Sequence, residues 1–336
     1  MTNSDMYVDV ASLLLGGGVA APEPAILDFV AGDDESYLFY SGEFNLIYGD
    51  TESGKTWLCL AAVASTLARG GRVAIIDLDH NGAPSLLNRL QLLGVSADVL
   101  CDPQSFRLAE PVTDLELNEL VGDLTVFKPD VVVLDSLGEV IPLFRGNSNN
   151  SDDFTIVHAD VIKPLTRVGA ALLVVDHLPK NADAASRGPI GTQAKTRAVG
   201  GLAVKVSVTE AFRPGRGGAA KLELFKDRDG GVRKQLPDND HDHRPVIGTI
   251  KIAENDAGQL TYSFHHAATV TPDKQAQIDL KRTVTDADKL AELYDSGKDV
   301  DTIRAVRAAL GCGQKRAEAA LSAFRKLLAN RSQAAA

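Results

Sequence analysis

Residues 49–56 (GDTESGKT) satisfy every fixed position of the pattern G-x-x-x-x-G-K-[ST], and the chemistry such a run can do is to hold a polyphosphate. The backbone N–H groups of Gly49, Asp50, Thr51, Glu52, Ser53 and Gly54 can curl around a phosphate where a helix begins. Gly49 and Gly54 permit backbone angles and a close approach that a side chain would block. Lys55 is placed to reach the β- and γ-phosphates of a nucleoside triphosphate such as ATP, and the Thr56 hydroxyl to hold Mg²⁺. Such a loop needs a strand before it and a helix after it. Residues 44–48 (FNLIY) read as a short buried strand and residues 57–67 (WLCLAAVASTL) as a helix of small and apolar residues.

Three more apolar runs end in residues that could do chemistry. Residues 72–78 (RVAIIDL) lead into Asp77, Asp79 and His80. Residues 130–135 (DVVVLD) end at Asp135, followed by Ser136, and a strand-end carboxylate beside a phosphate loop is the usual source of a second Mg²⁺ contact. Residues 170–175 (AALLVV) run into Asp176 and His177. Further on, residues 224–230 (LFKDRDG) present Lys226 and Arg228 on an alternating stretch.

The elements that must position these groups can be read from texture. Strands this apolar, separated by helical stretches such as residues 83–93 and 154–167, imply a mainly parallel sheet covered on both faces, an α/β fold. Beyond residue 200, residues 203–210, 219–226, 248–253 and 260–265 alternate like antiparallel hairpin strands that would extend the sheet. Residues 1–24, ending in GGGVAAPEP, read as an N-terminal arm; residues 25–268 form the main domain, and polar residues 269–283 a linker. Residues 284–330 carry three expected helices, 286–296, 300–310 and 314–329, the last two joined by Gly311-Cys312-Gly313. That spacing predicts a helix-turn-helix or winged-helix unit.

Composition narrows the classes. A chain of 336 residues with 44% hydrophobic content can bury a sizeable core, and a net charge of −10 argues against coating nucleic acid with the whole surface. From residue 281 onward, eleven Lys/Arg stand against seven Asp/Glu, about +4, so the rest of the chain carries about −14. Three scattered cysteines suit neither a disulfide framework nor a metal spacing, and the expected location is the cytoplasm. No apolar run reaches the roughly 18 residues of a membrane span, so no membrane partner is expected. His241-Asp242-His243 and His265-His266 lack further ligands at fixed spacing and read as solvent loops.

Taken in order, these landmarks resemble the RecA-like ATPases that form rings and filaments, including replicative helicases of the DnaB type and plasmid helicases of the RepA type. The resemblance covers residues 24–265 and implies a RecA-like P-loop core. It also implies roles: Asp79 as the water-activating carboxylate, where the family usually has Glu, and His177 as a γ-phosphate sensor. Lys226 and Arg228 match the K-x-R-x-G segment whose cations reach ATP held by a neighbouring subunit. Single-stranded DNA would meet the loops after the third and fourth strands, residues 145–153 and 180–197, with Lys180, Arg187, Lys195 and Arg197 offering cations. Lys315 and Arg316 open the last helix, where a recognition helix would meet a groove.

The activity this implies is an ATP-hydrolysing DNA motor, a hexameric helicase of plasmid or phage replication with ATP sites between like subunits and other replication or recombination proteins as partners. Asp79 in place of Glu and the modest basic charge also fit a non-unwinding DNA-binding ATPase such as a recombination mediator, helicase loader or regulator. A small-molecule kinase would need an arginine lid over the phosphates, for which Arg213 and Arg216 are the candidates.

Overall fold

The computed structural model describes residues 9–15, 21–28, 36–179, 188–236, 244–255, 258–266, 272–310 and 314–334. The chain divides into two compact units, residues 1–268 and 269–336.

The first unit is built on a nine-stranded sheet. Its helices are α1 (Val10–Leu15), α2 (Lys55–Ala68), α3 (Ala83–Leu92), α4 (Ala97–Cys101), α5 (Asp114–Phe127), α6 (Leu137–Leu143), α7 (Ser151–Val157), α8 (Lys163–Arg167), α9 (Ala194–Ala198) and α10 (Gly231–Lys234). Its strands are β1 (Ile26–Asp28), β2 (Tyr37–Phe39), β3 (Phe44–Gly49), β4 (Val73–Asp77), β5 (Phe106–Ala109), β6 (Val131–Asp135), β7 (Ala171–His177), β8 (Leu202–Arg213), β9 (Gly217–Asp227), β10 (Val246–Glu254) and β11 (Leu260–His266). The order across the sheet is β11-β10-β9-β8-β3-β7-β6-β4-β5, with β1 and β2 pairing separately. From β8 to β5 neighbours run parallel, and from β8 to β11 they run antiparallel.

The alternation of side chains along each central strand supplies both cores. On β6, Val131 and Val133 face the layer that holds α2 and α3, while Val132 and Leu134 face the layer of α5 to α8. Leu173 and Val175 against Leu172 and Val174 divide β7 in the same way. Each fully buried aliphatic side chain contributes about 1.5–3 kcal/mol, which is why these strands read as unbroken apolar runs. Strands β3, β4, β6 and β7 therefore end together on one edge of the sheet, and in an open α/β sheet ligands bind outside those carboxyl ends.

Several boundaries differ from the sequence expectation. The expected helix 154–167 is α7 and α8 joined through a π-helical turn, His158–Ile162, beside Pro164, which has no N–H to donate. Strand β5 and helix α5 complete the parallel half. Helix α5 is capped by the Thr113 hydroxyl, which accepts from the Glu116 N–H.

In the second unit, α11 (Pro272–Asp295), α12 (Ile303–Leu310) and α13 (Gln314–Ala334) pack around Leu290, Val300, Val306, Leu321 and Phe324. The stretch expected as a linker is thus helical from Pro272 onward, because its Lys, Gln, Ala and Leu residues are strong helix formers despite their polarity. The turn residues Gly311, Cys312 and Gly313 lie outside the described residues.

Candidate nucleotide site

The phosphate loop sits between β3 and α2 as its motif requires. Gly54 adopts φ 97, a left-handed conformation that only glycine takes at little cost, and caps the start of α2. A Cβ on Gly49 would overlap the carbonyl oxygen of Val206 on the adjacent strand, and one on Gly54 would overlap the ring of Phe212. Lys55 is buried, and its Nζ donates to the carbonyl oxygens of Gly49 (3.2 Å) and Asp50 (2.7 Å). Among the described residues its ammonium forms no salt bridge; burial lowers its pKa, against the pull of Asp135, Asp79 and Asp50. The Ser53 hydroxyl is buried within the loop without a hydrogen-bond partner among the described residues, the kind of orphan that a ligand oxygen satisfies.

The strand ends bring the expected acids to the same place. Thr56 Oγ1 donates to Asp135 Oδ2 at 3.1 Å. Burial pushes the Asp135 carboxyl up to about 6, and the nearby Asp79 carboxylate adds to the rise while the Thr56 hydrogen bond opposes it. A carboxylate held dry beside a hydroxyl and close to other acids is a site that a cation relieves. Among the described residues no group of three or more His, Cys, Asp or Glu could hold a metal by itself. One carboxylate and one hydroxyl fit Mg²⁺, which keeps several waters and takes phosphate oxygens instead of filling an all-protein cage.

Asp79, just past β4, lies 3.7 Å from His177 Nε2, and the Ser136 hydroxyl donates to it at 3.4 Å. The His177 ring holds the Asp79 carboxyl below its ordinary range, and Asp79 in turn raises His177. At 3.7 Å this is a loose ion-pair contact, with space between the two groups and the phosphate loop. Asp77, buried at the end of β4, accepts from Asn81 Nδ2 (3.0 Å) and the Gly82 N–H (2.8 Å), and Asn81 Nδ2 also approaches Asp135 Oδ2 at 3.3 Å.

A cavity of about 750 Å³ joins these groups. Residues 51–57, Asp79, Asn81, Asp135 and His177 line it, while the nearby acids Asp77 and Glu139 are not among its described lining residues. Its far wall is made by Arg89 on α3 and by Phe212 and Arg213 at the tip of the β8–β9 hairpin. Trp57 and Phe212 lie nearly parallel, with centroids 6.3 Å apart and planes at 15°. Asn81, Arg89 and Phe212 carry no motif in the sequence, since the last reaches the phosphate loop only through a hairpin far downstream of it.

Other expected site residues fall elsewhere. Lys195, expected to face DNA, is fully buried and paired with Asp176 at 2.9 Å, so it offers no cation to a ligand in solution. Lys226, expected to reach a neighbour's ATP, donates to the carbonyl oxygens of Thr196, Arg197 and Val199 in its own chain (3.0, 3.1 and 2.7 Å). Arg316 forks onto the buried Asp286 (2.8 and 3.0 Å) and staples the second unit, which takes it out of the set of free recognition residues. Arg197 and Arg228 are exposed. Lys180, Arg187 and His241-Asp242-His243 lie outside the described residues, as does the side chain of Lys315 on α13.

Fold and site together define the class: a RecA-like α/β core that carries a P-loop phosphate site. Residues 37–183 match the family described as AAA domain. Over 105 residues the chain is 36% identical to Protein RecA of Leptospira biflexa, an alignment covering 31% of this chain and 25% of that protein. It is 29% identical over 136 residues to Protein RecA of Mesomycoplasma hyopneumoniae, covering 40% and 38%, and 31% identical over 122 residues to Protein RecA of Acidiphilium cryptum, covering 36% and 33%. The chain thus spans a quarter to two-fifths of the length of these relatives. Among the described residues no helix is long and apolar enough to cross a membrane.

Proposed function

We propose that this chain is an ATP-hydrolysing DNA motor of the hexameric helicase type, with sites shared between like subunits that meet single-stranded DNA. The observation that carries this reading is the separation of the site's charges. Lys55, Thr56, Asp79, Asp135 and His177 converge on one cavity, whereas Arg228 is exposed on a turn that does not line it. That turn is stiff: Asp227 accepts from the Tyr40 hydroxyl (2.5 Å), the Gly230 N–H (3.2 Å) and the Arg233 N–H (2.7 Å). An arginine held rigidly at the surface suits delivery to a nucleotide bound by a neighbour.

In the proposed reaction Lys55 leaves the loop carbonyls for the β- and γ-phosphates, Thr56 and Asp135 hold Mg²⁺, and Asp79 takes a proton from the attacking water. Mg²⁺, when bound, neutralises charge developing on the phosphates. His177, coupled to Asp79, senses the γ-phosphate, and Arg228 stabilises the transferring phosphoryl group of the adjacent subunit. The loop of residues 180–197 and the helical C-terminal unit are the proposed DNA contacts, with partner replication or recombination proteins and a cytoplasmic location following from that role.

A second reading, a non-unwinding DNA-binding ATPase that loads or regulates, draws on the cations that are engaged internally. With Lys195, Lys226 and Arg316 so occupied, fewer charges remain to track a strand. The deciding experiment is ATP hydrolysis and strand displacement on a forked duplex. Turnover that rises with single-stranded DNA and drives displacement supports the motor. Turnover without displacement favours the second reading, and no turnover removes both.

A further inference from the structure

The buried pair Lys195–Asp176 has no part in the chemistry above, yet both side chains are fully buried. Taking two charges out of water costs more than their attraction commonly returns, so an apolar pair of similar volume would stabilise the fold at least as well. What the pair does have is a position. Asp176 Oδ1 accepts the N–H of His177 at 2.9 Å while Oδ2 accepts Lys195 Nζ at 2.9 Å, so the peptide that carries the sensor ring is tied to α9. Burial raises the Asp176 carboxyl, and Lys195 opposes that rise.

Other contacts converge on the same short helix. The Ile190 N–H donates to the His177 carbonyl oxygen (2.8 Å), and the Thr192 N–H to that of Ser148 (3.1 Å), which joins the loop after β6 to the segment before α9. At its far end α9 presents the carbonyl oxygens of Thr196, Arg197 and Val199 to a single donor, Lys226 Nζ, two residues from Arg228. Phe225, next to Lys226, packs edge-on against Tyr48 of β3, 5.4 Å between centroids.

We propose that Lys195 and Lys226 are positioning residues that place the His177 sensor and the turn bearing Arg228 on one frame, with α9 as its centre. The assignment rests on the roles given above to His177 and Arg228. It replaces a surface function for both lysines with an internal one: a displacement of His177 is carried by Asp176 and Lys195 to α9, and by Lys226 to the finger. Neither lysine touches the nucleotide.

The test uses the full chain and the uncharged double variant Asp176→Asn/Lys195→Met, with Lys226→Met and Lys226→Gln beside it. Single variants of the buried pair risk unfolding; the double variant removes both charges together. Three quantities are read: MgATP affinity from the fluorescence of Trp57, the sole tryptophan; kcat; and the imidazole resonances of His177, assigned against His177→Asn. The expected result is affinity within about threefold of the parent, kcat lowered by roughly 10- to 100-fold, and shifted or broadened His177 resonances in the double variant and in Lys226→Met. Lys226→Gln, which can still donate to carbonyl oxygens, recovers most of the loss. Unchanged His177 resonances together with parental kcat overturn the proposal. A Lys226 that acts solely on a neighbour's nucleotide leaves the resonances of His177 in its own chain unmoved, which also overturns it. A parent protein without turnover contradicts the motor reading, and the resonance comparison then decides the frame by itself.

Discussion

The phosphate loop and the segment around α9 each bury a lysine, and they use it in opposite ways. Lys55 is held by two backbone carbonyl oxygens, which orient an ammonium without cancelling its charge. Lys195 is held by a carboxylate in a fully buried pair, which cancels it. A partly desolvated cation with neutral partners is poised to bind an anion; a neutralised one is part of the framework. Partner type, more than burial or position in a motif, separates a ligand-binding lysine from a positioning one.

Substitution sharpens this contrast most strongly in stability. Lys195→Met leaves the Asp176 carboxylate buried and unpaired and should cost about 3–5 kcal/mol in denaturant unfolding, whereas Lys55→Met, which removes a desolvated charge, should leave the nucleotide-free protein no less stable. Equal losses in both variants would erase the distinction. For ATP binding the order reverses, with Lys55→Met giving the greater loss.

The acids of the site supply the next effect. Asp135 has its folded value raised to about 6 from an ordinary 3.8, so its contribution to stability is fully present below about pH 4 and is lost as pH rises through 6. In the absence of Mg²⁺ and nucleotide, Asp135→Asn should therefore be more stable than the parent by about 3 kcal/mol at pH 7, a gap that closes toward pH 4. A gap that stays constant from pH 7 to pH 4 in matched melts would mean that Asp135 is not the strained, cation-seeking group described above. A smaller effect is expected at Gly54. Gly54→Ala must hold a Cβ at φ 97 against Phe212, which should cost roughly 1–2 kcal/mol and weaken nucleotide binding as the hairpin tip is displaced.

Much of the frame was legible before the structure. The phosphate loop has fixed spacing, and the apolar runs that end at Asp135 and His177 mark parallel strands buried on both faces, so their C-terminal ends had to be neighbours. The four later strands were readable from their alternation. Three kinds of feature were not legible. A cation's partner is a tertiary property: nothing local to Lys195, Lys226 or Arg316 distinguishes a side chain reaching for DNA from one folded onto Asp176, a helix end or Asp286. The wall formed by Phe212 depends on a hairpin pairing that returns its tip to Gly54. Residues 272–283 are polar enough to read as a linker, yet continue α11, because helix propensity there outweighs the lack of an apolar stripe.

The most direct test of the shared-site account mixes two inactive variants. Lys55→Ala removes the phosphate ligand but keeps Arg228, and Arg228→Ala does the converse. Each alone should hydrolyse ATP in the presence of single-stranded DNA at a rate lower by on the order of 10³-fold, in keeping with an arginine finger and its phosphate-binding counterpart. Mixed in equal amounts, they should recover a measurable fraction of parental turnover, because an intact Arg228 then faces an intact Lys55 site across some interfaces. Recovery is the predicted result; a mixture no more active than its components, from subunits that exchange freely, would contradict catalysis in trans by Arg228.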